Sequence, residues 1–159
     1  MVDTTAGAAR RTERLELRVP TSRTQLPAVR AMVGDLAMRM DFDLDAVEDL
    51  RLAVDEASAT LAAIALPETP LVTVFETTAT GLTIHAWVRT AAGTDVPRDG
   101  FGWAVVAALV DTVDAGPATE AEVPGGDGGD GAVASITLTK DLPQPVGAAG
   151  TDSDLSVAR

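Results

Sequence analysis

The sequence of 159 residues predicts an α+β fold, a two-layer sandwich in which three helices lie on one face of a mostly antiparallel mixed sheet. The first observation is a long helical pattern between residues 49 and 66. The second is a set of short runs in which apolar and polar residues alternate, as they do in half-buried strands. The third is their order along the chain, which is strand, helix, helix, hairpin, helix and strands.

The long pattern, DLRLAVDEASATLAAIAL, predicts the helix around which the fold is organised. Its apolar residues recur at helical spacing and form one buried stripe, made of Leu50, Val54, Ala57, Leu61 and Ile64. Glu56 and Thr60 lie on the flank of this stripe, one turn apart, where the buried face meets solvent. We expect Asp43 or Asp45 to cap the helix, which should end before Pro67.

Alternation predicts a strand in each of four further segments, namely 14–19, 71–76, 82–89 and 133–139. The second and third of these should form a hairpin, and a short strand should begin at Thr112. In the segment 82–89, His85 and Trp87 fall on the face opposite to the core. Because His85 is the only histidine, we interpret it as a residue of the sheet surface rather than a ligand or a base.

Two other segments have helical spacing. One runs from a cap at Thr21 or Ser22 to Arg39, and the other from Trp103 to Val113. The chain should therefore form one domain over residues 13–140, between a disordered N-terminus at 1–12 and a disordered C-terminal tail at 141–159. The GGDGGDG run from Gly125 to Gly131 is interpreted as a flexible hairpin loop, since one copy is not a calcium-binding repeat.

Composition excludes several classes of function. The chain has no cysteine, which rules out disulfides, thiol catalysis and cysteine-ligated zinc. No apolar run is long enough to span a membrane and no signal peptide is visible, so we expect a cytoplasmic protein without a membrane partner. A net charge of -12 argues against direct binding of nucleic acid and favours a basic protein partner.

Acidic residues crowd the start of the long helix. We predict that they form a partner-binding surface, made of Asp41, Asp43, Asp45, Glu48 and Asp49. The alternative is a solvated helix entrance that the helix dipole favours.

Two segments carry a resemblance to a known family. LRLAVDEASATLAAIAL resembles the helix that bears the N-box glutamate of the GHKL ATP-binding fold, also called Bergerat-like. DGFGWAVVAALVDTVD resembles the second glycine box of that fold. DFDLDAVEDLRLAVDE and ALPETP are similar to the RsbW-type anti-sigma factors, which are serine kinases of anti-anti-sigma proteins, and in particular to their actinobacterial sigma-F branch. The resemblance covers roughly residues 14–140.

The resemblance implies roles for four residues. Glu56 matches the catalytic general base of the kinases, and Gly100 and Gly102 match the turn that holds the phosphates of ATP. Thr60 stands where the kinases have the asparagine that holds magnesium, and its shorter side chain lacks the amide oxygen. The aspartate of the first glycine box, which reads adenine, has no counterpart. The Gly-x-Gly has an alternative interpretation, a turn that needs positive φ before a helix.

The predicted function is therefore an anti-sigma factor that sequesters an alternative sigma factor of the sigma-F or sigma-B type and is antagonised by an anti-anti-sigma protein. No cofactor should be required for sigma binding. The alternative is an active serine kinase that uses ATP and Mg²⁺, and a stand-alone ATPase or sensor kinase domain ranks last. We also expect a homodimer, since Leu52, Ala59 and Ala62 should face away from the sheet.

Overall fold

The computed structural model describes residues 12–126 and 131–143. The termini predicted to be disordered, apart from residues 12 and 141–143, and most of the GGDGGDG loop lie outside these ranges. The last strand continues one residue into the predicted tail, to Asp141.

Five strands form one sheet. Their bounds are β1 Glu13–Pro20, β2 Pro70–Thr77, β3 Gly81–Thr90, β4 Thr112–Ala118 and β5 Ala132–Asp141. The strand order is β1-β2-β3-β5-β4, and each of the four strand pairs is antiparallel. Every strand that the alternation predicts is found, including the hairpin of β2 and β3 and the short strand at Thr112. The predicted two-layer α+β sandwich is confirmed.

Three helices provide the second layer. They are α1 Pro27–Arg39, α2 Leu44–Ile64 and α3 Phe101–Leu109. The prediction that Thr21 or Ser22 caps the first helix is wrong, because the Thr21 hydroxyl donates to the carbonyl of Thr69 at 3.3 Å and residues 21–26 form turns. The helix begins at Pro27, whose missing N–H costs nothing in the first turn.

The predicted bounds of the third helix are also wrong. The structure starts α3 at Phe101, two residues before Trp103, and ends it at Leu109 rather than Val113. The last predicted turn is lost because Thr112 and Val113 already pair with β5 at the start of β4. Strand pairing therefore outweighs helical spacing in this apolar segment.

The stripe of α2 lies at the centre of the core. Leu50, Val54, Ala57 and Leu61 are buried, whereas Ile64 is only half-buried. They pack against inner-face residues of the sheet and against residues of α1 and α3. The opposite face of the sheet carries a second, smaller cluster around Trp87, made of Val72, Val74, Trp87 and Val133. His85 stacks on Trp87 with 5.7 Å between ring centroids and lies on this outer face, as predicted.

A tight turn joins α1 to α2. Asp41 adopts a left-handed conformation with φ of 62°, and the Phe42 N–H donates to the carbonyl of Ala37 at 3.1 Å. These are the features of a Schellman motif, which closes the C-terminus of a helix. The Phe42 side chain is buried, and Asp43 Oδ1 then accepts from the N–H of Ala46 at 2.7 Å. The turn is thus fixed on both sides, and Asp43 rather than Asp45 is the cap.

No helix in the described part of the chain is both long enough and apolar enough to cross a membrane.

Replacing the cap tests how α2 begins. We expect Asp43→Ala to lower the free energy of unfolding by about 1 kcal/mol, because the N–H of Ala46 would lose its acceptor. Asp45→Ala is the matched control, since Asp45 is exposed in the same turn and accepts no capping bond, and it should cost about 0.3 kcal/mol. Urea unfolding measures both values. Equal losses in the two variants would contradict the assigned cap.

Candidate functional site

The flank of α2 that carries Glu56 and Thr60 faces α3. At one end, Lys140 Nζ donates to the carbonyl of Leu109, the last residue of α3, at 2.8 Å. The same Nζ lies 3.6 Å from Asp49 Oδ2 near the start of α2. At the other end, Glu56 lies against Gly102 in the first turn of α3. The two helices therefore run antiparallel, and the N-terminus of α3 meets the middle of α2.

Glu56 and Gly102, which the sequence places in one candidate site, are brought together by this packing. A Cβ atom placed on Gly102 would lie 2.8 Å from Oε2 of Glu56, so a side chain there would displace the carboxylate, which is the free end of a flexible side chain. The Glu56 side chain is half-exposed. Its carboxylate lies beside the positive end of the α3 dipole, which is a favourable place for an anion.

Thr60 and Gly100 complete the predicted set. Thr60 is half-exposed one turn beyond Glu56, and Gly100 is the N-cap residue of α3. Gly100 has φ of -88°, so the interpretation that this Gly-x-Gly turn needs positive φ is wrong. The close contact of this turn falls on Gly102, where a side chain would push the Glu56 carboxylate aside.

The connection from β3 to α3 is the segment in which the family reads adenine. Gly93 has φ of +75° and faces open space, and Asp95 is exposed. Val96 is buried in the main core. The Arg98 guanidinium lies 5.9 Å from the centroid of the Trp103 ring and donates to the carbonyl of Ala115. The second half of this connection is thus fastened to the domain at two points.

The predicted partner-binding acids lie around the turn between α1 and α2. Asp41, Asp43, Asp45 and Glu48 are exposed, and Asp49 is half-exposed. Two of them already form ion pairs within the chain, since Glu48 lies 2.5 Å from Arg51 and Asp49 pairs with Lys140. In residues 12–126 and 131–143 no three carboxylate or histidine side chains could together hold a metal ion.

Two exposed apolar residues were not selected by sequence reasoning. Leu44, the first residue of α2, is 77% exposed between Asp43 and Asp45, and Phe101, the first residue of α3, is 86% exposed. The signal for Leu44 is its helical phase, because six residues at about 100° each place it about 120° from Leu50 around the helix, outside the buried stripe.

Clefts occur on other parts of the domain. One, of about 330 Å³, lies on the outer face of the sheet beside Trp87, under the connection from β4 to β5. Arg89 forms an ion pair there with Glu120 at 3.1 Å. Hydrogen bonds from the N–H and the hydroxyl of Thr119 lower the pKa of the exposed Glu122 carboxyl group. A groove of about 510 Å³ lies beside the C-terminal half of α2, and Ala59 and Ala62 contribute to it.

Comparison with known proteins relates the chain to anti-sigma factors. No family model matches the chain. The chain is 35% identical over 109 residues to the anti-sigma-F factor RsbW of Mycobacterium tuberculosis, in the strains CDC 1551 / Oshkosh and ATCC 25618 / H37Rv. The match covers 69% of this chain and 65% of each relative, slightly less than two thirds of their length. The predicted relationship is confirmed, and this chain is a relative of the RsbW-type anti-sigma factors.

Proposed function

We propose that this protein is an anti-sigma factor, which binds an alternative sigma factor of the sigma-F or sigma-B type and keeps it from core RNA polymerase. The observation that carries the proposal is the similarity to the anti-sigma-F factor RsbW over 109 residues. An anti-anti-sigma protein is the expected antagonist, since the family resemblance implies one. The protein would regulate transcription without touching nucleic acid, in agreement with its net charge of -12.

The surface at the turn between α1 and α2 suits a basic protein partner. Its exposed carboxylates speed association with a positive surface, and Leu44 offers an apolar side chain in their midst. Such an arrangement has the anatomy of an interface, with an apolar anchor and a charged rim. The Schellman motif and the Asp43 cap hold this surface rigid, so little entropy is lost when the partner binds.

We propose further that sigma binding needs no nucleotide. A phosphate at the N-terminus of α3 would meet the Glu56 carboxylate, which already lies against Gly102. Both are negative, so they would repel each other unless a cation lay between them. Thr60 lacks the amide oxygen that holds magnesium in the kinases, and no aspartate stands where they read adenine. Two lost contacts of about 1.5 to 3 kcal/mol each would weaken nucleotide binding by roughly a hundredfold or more.

An active serine kinase remains the second candidate function. One observation favours it, because Glu56 is half-exposed beside a helix N-terminus, where a carboxylate can accept a proton from a substrate hydroxyl. Without a well-held metal ion, however, phosphoryl transfer loses most of its electrostatic stabilisation. We therefore place the anti-sigma role first.

We also propose that the protein is a homodimer, as its resemblance to the RsbW-type anti-sigma factors implies. The surface of α2 that the sequence suggests for the dimer has Leu52 and Ala59 exposed and Ala62 half-exposed. Asp45 and Glu48 lie exposed on the same side of the helix. A two-fold contact through this side would bring like charges together, which disfavours self-association. This side of α2 is better suited to a basic partner than to a second copy.

Truncating Leu44 tests the proposed interface. We expect Leu44→Ala to weaken binding of the cognate sigma factor about tenfold or more, because an exposed apolar anchor loses its contact. Leu66→Ala is the matched control, since Leu66 is also exposed but lies beyond the other end of α2. Isothermal titration calorimetry measures both. Sigma binding with equal affinity by both variants would show that this surface is not the interface, and no binding by the unmodified protein would refute the anti-sigma role.

A double-mutant cycle tests the position of the Glu56 carboxylate. Gly102→Ala should change stability little, because its gain in helix propensity is offset by displacing the carboxylate. In a Glu56→Ala background nothing is displaced, and the same change should stabilise the protein by roughly 0.5 to 1 kcal/mol. Urea unfolding of the four proteins gives the coupling between the two positions. Effects that add to within about 0.3 kcal/mol would contradict the contact.

A further inference from the structure

One cleft of the domain has no part in the proposed function. It lies on the outer face of the sheet, the face opposite to the helices, and has a volume of about 330 Å³. Pockets that bind small molecules in proteins begin at about 300 Å³, so this cleft is large enough to hold one. Gly125 and Gly126, the first two residues of the GGDGGDG run, are among the residues that line it.

The floor of the cleft is apolar and is formed by the sheet. The register of the strands places Val72 of β2 opposite Trp87 of β3, and both side chains are buried on the outer face. Val133 of β5 belongs to the same cluster, and Val123 of the connection from β4 to β5 packs against it. An aromatic side chain in an apolar floor suits a ligand that contains a flat ring.

The connection from β4 to β5 forms one wall of the cleft, and two arginines of the sheet hold it in place. The Arg18 guanidinium donates to the carbonyl of Pro124, and Nη2 of Arg89 donates to Oε2 of Glu120 at 3.2 Å. A Cβ atom on Gly126 would lie 2.5 Å from the carbonyl oxygen of Glu120, a backbone atom that cannot easily move aside. This wall is therefore closely packed and fastened to the sheet.

The charges of the described residues around the cleft are already matched. Arg18 lies 2.6 Å from Glu16, Arg89 lies 3.1 Å from Glu120, and the exposed Glu68 adds a further carboxylate. An anion would have to compete with these carboxylates for the two arginines. A cation would meet the guanidinium groups. The cleft therefore favours an uncharged ligand.

The Glu120 carboxylate defines what polar group the ligand needs. Its side chain is only 9% exposed. Oε1 lies within ion-pair distance of Arg89, yet no group in residues 12–126 and 131–143 is aligned to donate a hydrogen bond to it. A buried acceptor without a donor costs free energy, and this cost is recovered when a donor arrives. A ligand with an N–H or O–H group would supply that donor.

We propose that this cleft binds a small, uncharged aromatic molecule that carries an N–H or O–H donor, as indoles and phenols do. The ring lies on the apolar floor beside Trp87, and the donor bonds to Oε1 of Glu120. The site is on the other side of the sheet from α2, which carries Glu56 and the acidic surface. The proposal therefore goes beyond the anti-sigma role and does not depend on sigma binding.

Indole and 1-methylindole test the proposal on the unmodified, full-length protein. The two molecules share the same ring system, but only indole has an N–H donor. In NMR spectra of ¹⁵N-labelled protein, we expect indole to shift the side-chain N–H signal of Trp87 to saturation. The signal of Trp103, which belongs to α3 in the other layer, should stay in place, and Trp103→Phe assigns the two signals. 1-Methylindole should bind about tenfold or more weakly, because Oε1 of Glu120 stays without a donor.

The variant Glu120→Gln tests the hydrogen bond itself. The Arg89 donors would take the amide oxygen and leave the NH₂ group toward the ligand, so the preference for indole over 1-methylindole should disappear. Glu122→Gln is the matched control, since Glu122 is exposed in the same short helix and its Oε2 accepts from Thr119. This variant should keep the preference. Thermal melts establish that both variants fold, and the comparison of the two ligands on the unmodified protein does not depend on them.

Three results would overturn the proposal. No saturable shift of the Trp87 signal at millimolar indole would refute the site. Equal affinity of the unmodified protein for indole and 1-methylindole would refute the bond to Glu120. Tighter binding of benzoate than of indole would refute an uncharged ligand.

Discussion

The burial of one stripe of α2 against the sheet is the constraint on which the rest of the structure depends. Leu50, Val54 and Leu61 are buried, and this fixes the rotation of the helix about its own axis. The directions in which its two flanks face are therefore fixed as well. One flank receives α1, where Arg30 of α1 lies 2.7 Å from Asp55. The other receives α3. The remaining side, rich in carboxylates, faces solvent.

This fixed orientation has opposite consequences for two functions of the family. It turns Glu56 toward the first turn of α3, where an anion is stabilised but where a phosphate would otherwise bind. It also turns the start of α2 outward, so that Leu44 and its neighbouring acids stay exposed. The same packing therefore supports our proposal that the protein binds its partner without a nucleotide.

The sequence predicts most of the architecture because its signals are local and repeated. The α2 stripe and the alternation in β3 and β5 match the faces that the structure buries. Helix ends were less predictable, since Pro27 and the pairing of Thr112 in β4 override the apolar spacing around them. In both places a tertiary or backbone constraint outweighs side-chain periodicity.

The candidate site could be predicted only in part. The sequence places Glu56 beside a glycine turn through resemblance to a family, but the contact with Gly102 depends on α3 running antiparallel to α2, which no periodicity shows. Such features arise from how elements pack, so they become visible only once the elements have been placed.

The central claim is that this fold binds a sigma factor without help from a nucleotide. The most direct measurement is a calorimetric titration of the cognate sigma factor into nucleotide-stripped protein, repeated in the presence of ATP and magnesium. We expect the same dissociation constant in both titrations, together with no micromolar ATP binding in a parallel titration of ATP alone. Sigma binding that occurs only with ATP and magnesium present would contradict it and would restore the kinase interpretation.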